Sequence, residues 1–429
     1  MKEDFLHYLW KFKKFDATIL TTANGESLTI VNSGQYLKLA GPDFFNGQII
    51  IGNQKWAGNI EIHIRSSDWY LHHHERDPAY ENVILHVVWE HDVSVFRKNN
   101  TEIPVLILKN YTAQETIHNY LALSKTKSWI FCESYITSID RFVIVNWEAR
   151  LLFERLEQKS AVITQLLRET NNDWEAAFFC LLAKNFGLNS NGESFLKMAQ
   201  SIPFAVIRKE QREFKNLEGL FFGQLDLLRE SKEDVFYNEL QSNFRYLLHK
   251  HRLSPLENVG TTFFKHRPDN FPTIRLSQLA QVYSGIPNLF SKCMSLKSVK
   301  DYYVLFDVAP SNYWQTHYQF DAVSPKKSKK ISKSFIDLLL INSVIPMRFA
   351  YAQHHQKEVA DSLIALMSSL APEQNAIIEK FALFGIKAEN AFESQALLQL
   401  KNEYCNKRRC LECAIGASLM KNGGAENSL

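Results

Sequence analysis

The sequence predicts an α+β domain at the N-terminus followed by a mainly α-helical region. Three observations lead to this fold class. An amphipathic pattern over 4–15 opens the chain and places Phe5, Leu9 and Phe12 on one helical face. Short segments rich in β-branched and aromatic residues then alternate with turn signals. After residue 112, apolar residues recur at helical spacing almost throughout.

The first domain is predicted to span residues 1–112 and to form a mixed sheet flanked by helices. Its elements follow in the order helix, several antiparallel strands, helix, strand and strand. The second of these helices is predicted around 67–75. Residues 113–429 are predicted to be all-helical, arranged as one or two bundles. The predicted strand segments are LTIVNSGQY at 28–36, FFNGQIII at 44–51, NIEIHIR at 59–65, VILHVVW at 83–89 and PVLILK at 104–109.

Composition and charge limit the class of protein. Of 429 residues, 45% are hydrophobic and 22% are charged, which is typical of a globular protein with a large core. The net charge of +3 is too small to indicate a nucleic-acid or membrane partner by itself. The longest apolar run, at 335–344, is shorter than the ~18 residues that cross a bilayer, so we expect a buried helix and no membrane partner. Six cysteines favour a reducing compartment, and the protein is expected to be cytoplasmic.

The most informative polar residues lie in the predicted sheet. The strand NIEIHIR alternates isoleucines with polar residues, so Glu61 and His63 share one face. Asp43 lies just before the preceding strand, and a hairpin between the two strands would bring it beside Glu61. Carboxylates gathered in this way bind Mg²⁺ or Mn²⁺, and such an ion activates water for attack on a phosphodiester. The solvent-facing side of any half-buried strand shows the same alternation, so this second interpretation stays open.

The order Pro42-Asp43, then Glu61-Ile62-His63, set in helix–strand–hairpin–helix–strand, resembles the PD-(D/E)XK nuclease superfamily. The resemblance implies a restriction-endonuclease-like fold in which Asp43 and Glu61 bind the metal. Members of that superfamily carry a lysine at the position where this chain has His63. We expect His63 to position or deprotonate the attacking water. The resulting hypothesis is a metal-dependent nucleic-acid phosphodiesterase, and its alternative is a non-catalytic nucleic-acid-binding or scaffold protein.

A second resemblance covers nearly the whole chain. Its signatures resemble the bacterial domain-of-unknown-function 2851 family, which implies an organisation rather than an activity. The signatures are GPDF, IEIHIRSSDWYLHHHERDPAY, VILHVVW, KHRPDNFPTIRLSQLA and YCNKRRCLECAIG.

Four neighbouring residues are predicted to contact a phosphate substrate, namely Lys38, Arg65, His72 and His74. Ordinary surface charge explains the two cations equally well. The two histidines are expected on the helix after the Glu61 strand, where residues two apart do not share a face, so they are not expected to bind one ion. A third option is hydrolysis at a histidine-rich metal site of His63, His72, His74 and His86. Taken alone, His86 is typical of a hydrogen-bonded core histidine.

Cys405, Cys410 and Cys413 form a C-x4-C-x2-C cluster late in the chain. Thiolates this close in sequence bind zinc or an iron–sulfur cluster. Either group needs a fourth ligand, which the fold would have to bring from elsewhere. If a helix continues through the segment, Cys410 and Cys413 share a face and are simply small buried thiols. The residues able to supply the fourth ligand are Cys132, Cys180, Cys293, His354 and His355.

Overall fold

The structure of the chain is a computed structural model. It has the predicted fold class, a mixed sheet with helices at the N-terminus followed by a mainly helical region. The chain divides into two compact units, one formed by 1–147 together with 400–429 and the other by 148–399. The division differs from a single cut at residue 112 because the chain leaves the first unit and later returns to it. The structure describes residues 2–36, 41–124, 128–257, 259–264 and 266–421.

Seven strands of the first unit form one mixed sheet. They are β1 (Leu20–Thr21), β2 (Ser27–Asn32), β3 (Gln35–Tyr36), β4 (Phe44–Ile51), β5 (Gln54–Arg65), β6 (Val83–Glu90) and β7 (Val105–Ile107). Their order across the sheet is β1-β2-β4-β5-β6-β7, and β3 also pairs with β4. The pairs up to β4–β5 are antiparallel, whereas β5–β6 and β6–β7 are parallel. In the β4–β5 hairpin Phe44 lies opposite Ile60, so the register puts Asp43 next to Glu61.

Two short helices pack against β5 of the sheet. The first, α1 (Glu3–Lys11), packs against β5 and ends before the predicted boundary at 15, because Lys13 has a left-handed φ of +49°. The helix predicted at 67–75 is a single turn, α2 (Asp68–Leu71), followed by turns and a 3-10 helix at Pro78–Tyr80. This connection joins the parallel strands β5 and β6, which need a crossover rather than a hairpin.

Two helices follow the sheet, α3 (Gln114–Ser124) and the long α4 (Arg141–Glu169), and α4 continues into the second unit. The remaining helices of the second unit pack around one large apolar core. They are α5 (Trp174–Phe186), α6 (Leu188–Gln200), α7 (Phe204–Glu210), α8 (Phe214–Gln224), α9 (Val235–His251), α10 (Pro272–Gly285), α11 (Leu289–Ser295), α12 (Val299–Leu305), α13 (Lys333–Leu339), α14 (Ile345–His354), α15 (Ala360–Ser368), α16 (Ala376–Leu383) and α17 (Ala391–Gln399). The prediction of an all-helical region needs one correction, since β8 (His317–Gln319) and β9 (Ala322–Val323) form a small hairpin.

The chain then returns to the first unit. A π-helical segment, Leu400–Cys405, leads to a 3-10 turn at Cys410–Glu412 and to α18 (Ala414–Lys421). The turn packs against α1, and α18 packs against α3. The C-terminal segment is therefore part of the unit that contains the sheet.

The most apolar helical stretch, Lys333–His354, comprises α13, a π-helical turn and α14. By length and composition it passes the test for a membrane-crossing helix, with a mean hydropathy of 1.4. However, 67% of its most apolar window is buried inside the protein. The core of a soluble protein contains such helices, which agrees with the prediction of a buried helix at 335–344.

A buried carboxyl lies in the core of the second unit. Glu218 on α8 is fully buried, and its Oε1 accepts hydrogen bonds from the hydroxyls of Ser277 and Ser311 and from Nε1 of Trp314. Its other oxygen, Oε2, has no partner among the described residues. Burial raises the pKa of Glu218 to about 7, although the three hydrogen bonds partly offset this effect.

We expect the stability of the protein to fall between about pH 4.5 and pH 7 because of Glu218. In this range the unfolded chain releases the proton while the folded protein keeps it, so rising pH favours unfolding. A shift from 4.5 to about 7 corresponds to ~3 kcal/mol of free energy of unfolding. Urea unfolding of wild type and Glu218→Gln across this pH range would measure it, because the amide does not titrate. The exposed control Glu239→Gln should retain the full decrease; an equal decrease in Glu218→Gln would contradict the prediction.

Candidate metal site

The β4–β5 hairpin brings Asp43 and Glu61 together. The backbone N–H of Asp43 donates to Oε2 of Glu61 over 3.1 Å, and the backbone N–H of Ile62 donates to Oδ2 of Asp43 over 3.1 Å. Glu61 is buried, whereas the side chain of Asp43 is 23% exposed. The two carboxyl groups therefore lie side by side where β4 begins, as the predicted hairpin requires.

Three histidines cluster beside Glu61, and two of them contact its carboxyl group. Oε1 of Glu61 lies 3.5 Å from Nε2 of His63 and 3.5 Å from Nε2 of His74. Nε2 of His63 also lies 3.1 Å from Nδ1 of His72. One nitrogen of each histidine lies within 4.8 Å of the other two, which is close enough for all three to bind one ion.

The local backbone explains why His72 and His74 converge. The expectation that both residues lie on a helix and point apart is wrong, because α2 ends at Leu71. His73 then adopts a left-handed φ of +60°, which reverses the chain between its two neighbours. His72 is exposed at the rim of the site, and the side chain of His74 is 10% exposed. The site is thus open to solvent on the side of His72.

Buried aromatic residues restrain two of the three histidines, His63 and His74. Nδ1 of His63 shares a hydrogen bond of 2.8 Å with Nε2 of His86, which lies on β6 and is fully buried. The ring of His74 stacks on Tyr80, with 3.7 Å between ring centroids and an interplanar angle of 18°. The ring of Trp69 contacts the ring of His74 edge to face and the ring of His86 at a tilted angle. His86 is therefore a core histidine, as predicted, and it fixes the orientation of the His63 ring.

Burial controls the protonation of the site. Burial and then the charge of Asp43 raise the pKa of Glu61 to about 9, since two carboxylates so close together repel each other. Burial and then the neighbouring His86 lower the pKa of His63 to about 2. Burial likewise lowers the pKa of His74 and of His86. The rings of His63 and His74 are therefore neutral near pH 7, the form in which imidazole coordinates metal.

His7 is a residue of the site that the sequence pattern did not single out. Its Nε2 lies 3.1 Å from Oδ2 of Asp43, and its side chain is 14% exposed. Burial lowers the pKa of His7, but the interaction with Asp43 outweighs burial and the pKa is raised overall. The sequence offered one signal for His7. It lies one turn after Glu3 in a predicted helix whose neighbouring residues Leu6 and Tyr8 are buried, so a polar side chain at this position would need a partner.

Arg65 and Lys38 were predicted to contact a phosphate substrate. Arg65 lies outside the histidine cluster, and Lys38 is not among the residues that the structure describes. Arg65 ends β5 with its side chain 62% exposed, and its Nε lies 3.7 Å from Oε2 of Glu90. An exposed ion pair of this kind contributes little, at most ~1 kcal/mol. Arg65 thus lies at the end of the strand that carries Glu61 and His63, outside the cluster itself.

The cysteine cluster lies elsewhere in the same unit. Cys405, Cys410 and Cys413 line one small cavity, and Cys132 from the segment after α3 lines it as well. One alternative was a continuous helix that places Cys410 and Cys413 on one face as buried thiols. This helix does not form, because a 3-10 turn at Cys410–Glu412 precedes α18. Cys180, on α5, and Cys293, on α11, lie in the second unit.

Comparison with known proteins gives the family. No curated protein and no solved structure matches the chain, so the resemblance to the PD-(D/E)XK superfamily stays a prediction. Residues 3–376 match the family model described as "Protein of unknown function (DUF2851)". Because this match spans most of the 429 residues, the chain belongs to the DUF2851 family.

Proposed function

We propose that the first unit is a metal-dependent phosphodiesterase of the nuclease type. It would bind one first-row transition-metal ion through Glu61, His63, His72 and His74. The observation that carries this proposal is the convergence of His63, His72 and His74 in a solvent-accessible site, with the carboxyl of Glu61 3.5 Å from two of them.

The donor spacing fits a single ion. Around an ion about 2.0–2.2 Å from its nitrogen and oxygen ligands, tetrahedral donors lie about 3.4 Å apart. Oε1 of Glu61 lies 3.5 Å from Nε2 of both His63 and His74, and the His63–His72 separation is 3.1 Å. Three nitrogens and one oxygen favour Zn²⁺, Fe²⁺ or Mn²⁺, whereas Mg²⁺ prefers oxygen donors. Of the two ions expected from the sequence, Mn²⁺ therefore fits better than Mg²⁺.

The surroundings of the donors support a metal site. Ligand histidines in metal sites usually donate their second ring nitrogen to a neighbouring group, which fixes ring orientation. Nδ1 of His63 has such a partner in His86, and Tyr80 restrains the ring of His74 by stacking. Burial keeps the rings of His63 and His74 neutral, the form that coordinates a cation.

The substrate class rests on the resemblance to nucleases. Three features agree with that resemblance, namely the antiparallel β2, β4 and β5, the short crossover to the parallel β6, and the positions of Asp43 and Glu61. A phosphodiester of a nucleic acid is therefore the substrate we propose, with Arg65 and Lys38 as phosphate contacts.

The residues of the site would divide the reaction between them. A bound ion would lower the pKa of a coordinated water and polarise a phosphoryl oxygen. Glu61, His63 and His74 would form the buried wall of the ion site, and His72 would complete it on the open side. Asp43 holds His7 at 3.1 Å, and His7 would receive or deliver a proton during hydrolysis.

We also propose a cytoplasmic location. Each of the six cysteines is a free thiol, which suits a reducing compartment.

Metal binding is the first test of the proposal. Isothermal titration of the full-length protein with Zn²⁺, Mn²⁺ and Mg²⁺ should give one site per chain for Zn²⁺ and Mn²⁺ and much weaker binding of Mg²⁺. His74→Ala should weaken the binding at least about tenfold, because it removes a ligand where even supporting residues contribute about 10–100-fold. The matched control is His73→Asn, since asparagine tolerates the left-handed φ of this exposed neighbour.

Hydrolysis is the second readout of the same samples. Cleavage of bis(p-nitrophenyl) phosphate, single-stranded DNA and RNA should require the bound ion and should be retained in His73→Asn. Equal metal affinity in His74→Ala and wild type would overturn the ion site. One bound ion without cleavage of any phosphodiester would favour the non-catalytic alternative, in which four protein ligands form a closed structural site.

A further inference from the structure

Four cysteines from three distant parts of the chain line one cavity in the first unit. Cys132 lies after α3, Cys405 ends the π-helical segment, and Cys410 and Cys413 flank the 3-10 turn before α18. The cavity holds about 20 Å³, and its other walls are mainly apolar. These walls include Ile130, Phe131, Ile136, Leu400 and Ile415. The fold therefore supplies the fourth ligand that the C-x4-C-x2-C spacing lacks.

The four thiols interact with one another. Burial and then the charge of Cys413 raise the pKa of Cys132 to about 12 and that of Cys410 to about 11. The pKa of Cys405 is raised by burial and then by each of the other three cysteines. All four are free thiols, so the cavity gathers four sulfur ligands without joining any of them in a disulfide.

Hydrogen-bond donors are aimed at one of these sulfurs. Burial raises the pKa of Cys413, and hydrogen bonding from the backbone N–H groups of Gly416 and Ile415, in the first turn of α18, partly offsets this effect. A Cβ on Gly416 would lie 2.1 Å from the carbonyl oxygen of Cys410, so only glycine permits this close approach. N–H donors to cysteine sulfur are a recognised way in which proteins stabilise and tune metal–thiolate groups.

Cations surround the cavity on its outer side. The guanidinium of Arg408 lies 5.4 Å from the ring centroid of Phe131, a residue of the cavity wall. The guanidinium of Arg409 lies 4.6 Å from the ring of Tyr404, which also lines the cavity. Nζ of Lys401 donates to the carbonyl oxygen of Trp129 over 3.2 Å. Arg409 is itself paired with Glu412, so Arg408 and Lys401 supply the positive charge that would partly compensate a four-thiolate centre.

We propose that Cys132, Cys405, Cys410 and Cys413 bind an iron–sulfur cluster. A single zinc ion would draw its four sulfurs to about 3.8 Å from one another, because Zn–S bonds are about 2.3 Å long. Among the described residues, three histidine nitrogens come within 4.8 Å of one another, but no three of these sulfurs do. The cysteine ligands of a polynuclear core bind different iron atoms and so lie farther apart than the ligands of one ion, which agrees with this wider spacing.

The cluster would join the two separated parts of the first unit. Cys132 precedes the second unit in the chain, whereas the other three ligands follow it. The turn at Cys410–Glu412 also packs against α1, the helix that carries His7. The four bonds would therefore hold the returning C-terminal segment against the helix that borders the histidine site.

Anaerobic purification of the full-length protein, followed by reconstitution with ferrous iron and sulfide, tests the inference. Wild type should contain iron and acid-labile sulfide in similar amounts and should show broad visible absorbance. Cys132→Ser should lose most of the iron and sulfide. The matched control Cys293→Ser, a buried thiol of the second unit, should retain both.

The other outcomes are also decisive. A reconstituted wild type without iron and sulfide would overturn the inference. A parallel sample is reconstituted with Zn²⁺ instead. One bound zinc ion per chain in that sample, with no cluster in the iron sample, would overturn the inference as well. Circular dichroism separates loss of cluster from loss of fold, and Cys410→Ser offers a second, less buried variant. His74→Ala should keep its iron, so failure of the cluster and failure of the histidine site are distinguishable.

Discussion

Replacing Glu61 with glutamine is expected to lower kcat for phosphodiester hydrolysis by at least about 100-fold. The change keeps the shape of the side chain, but the amide cannot ionise, so a bound ion would lose the carboxylate ligand that lies 3.5 Å from the nitrogens of His63 and His74. A catalytic ion contributes several kcal/mol of charge stabilisation, and each ~1.4 kcal/mol corresponds to a factor of ten in rate. Steady-state cleavage at saturating Mn²⁺ and at saturating Zn²⁺ would measure the loss.

The matched control for this variant is Glu90→Gln. Glu90 ends β6, its side chain is 50% exposed, and it pairs with Arg65 rather than with the histidines. We expect kcat of Glu90→Gln to stay close to that of wild type. Wild-type kcat in Glu61→Gln, with the protein free of contaminating nuclease, would show that this carboxyl has no part in the reaction.

Truncating Trp314 to alanine is expected to destabilise the second unit by about 3–5 kcal/mol, the usual range for a buried aromatic residue. Trp314 is fully buried and stacks on Phe222, with 5.4 Å between the ring centroids. Its Nε1 donates to Oε1 of Glu218 over 2.9 Å, so the variant also removes one of the partners of that buried carboxyl. Urea unfolding followed by circular dichroism would give the change in the free energy of unfolding.

Two comparisons make this prediction specific. Trp314→Phe retains an aromatic ring but loses the N–H donor, so its destabilisation should fall between those of wild type and Trp314→Ala. Leu383→Ala, at a position 82% exposed, should change the free energy of unfolding by less than about 0.5 kcal/mol. A loss of less than ~1 kcal/mol in Trp314→Ala would contradict the packing described for this core.

The two candidate centres of the first unit differ in how their ligands are brought together. Glu61 and His63 lie on one strand, and the other histidine ligands follow within eleven residues. The cysteine cavity instead combines Cys132 with ligands that follow the whole second unit. The histidine site can therefore form once the sheet and its crossover have formed, whereas the cysteine site needs the C-terminal segment as well.

Local patterns in the sequence predicted the sheet and the proximity of Asp43 to Glu61. Strand alternation put Glu61 and His63 on one face, and the hairpin expected between β4 and β5 places Asp43 beside them. These predictions succeed because side-chain periodicity and hairpin pairing depend on residues close together in sequence. Lys329, in the KKSKK run at 326–330, shows the limit of such patterns. Its Nζ is buried and donates to the carbonyl oxygen of His317 over 2.7 Å, although a lysine run normally faces solvent.

The sequence by itself determined the family, the fold class and the pairing of Asp43 with Glu61. Only the tertiary structure decided that His7 joins Asp43, that His72 and His74 both converge on His63, and that Cys132 meets the late cysteines. The physical reason is that these contacts depend on packing between distant segments and, at His73, on one backbone angle that no periodic pattern encodes.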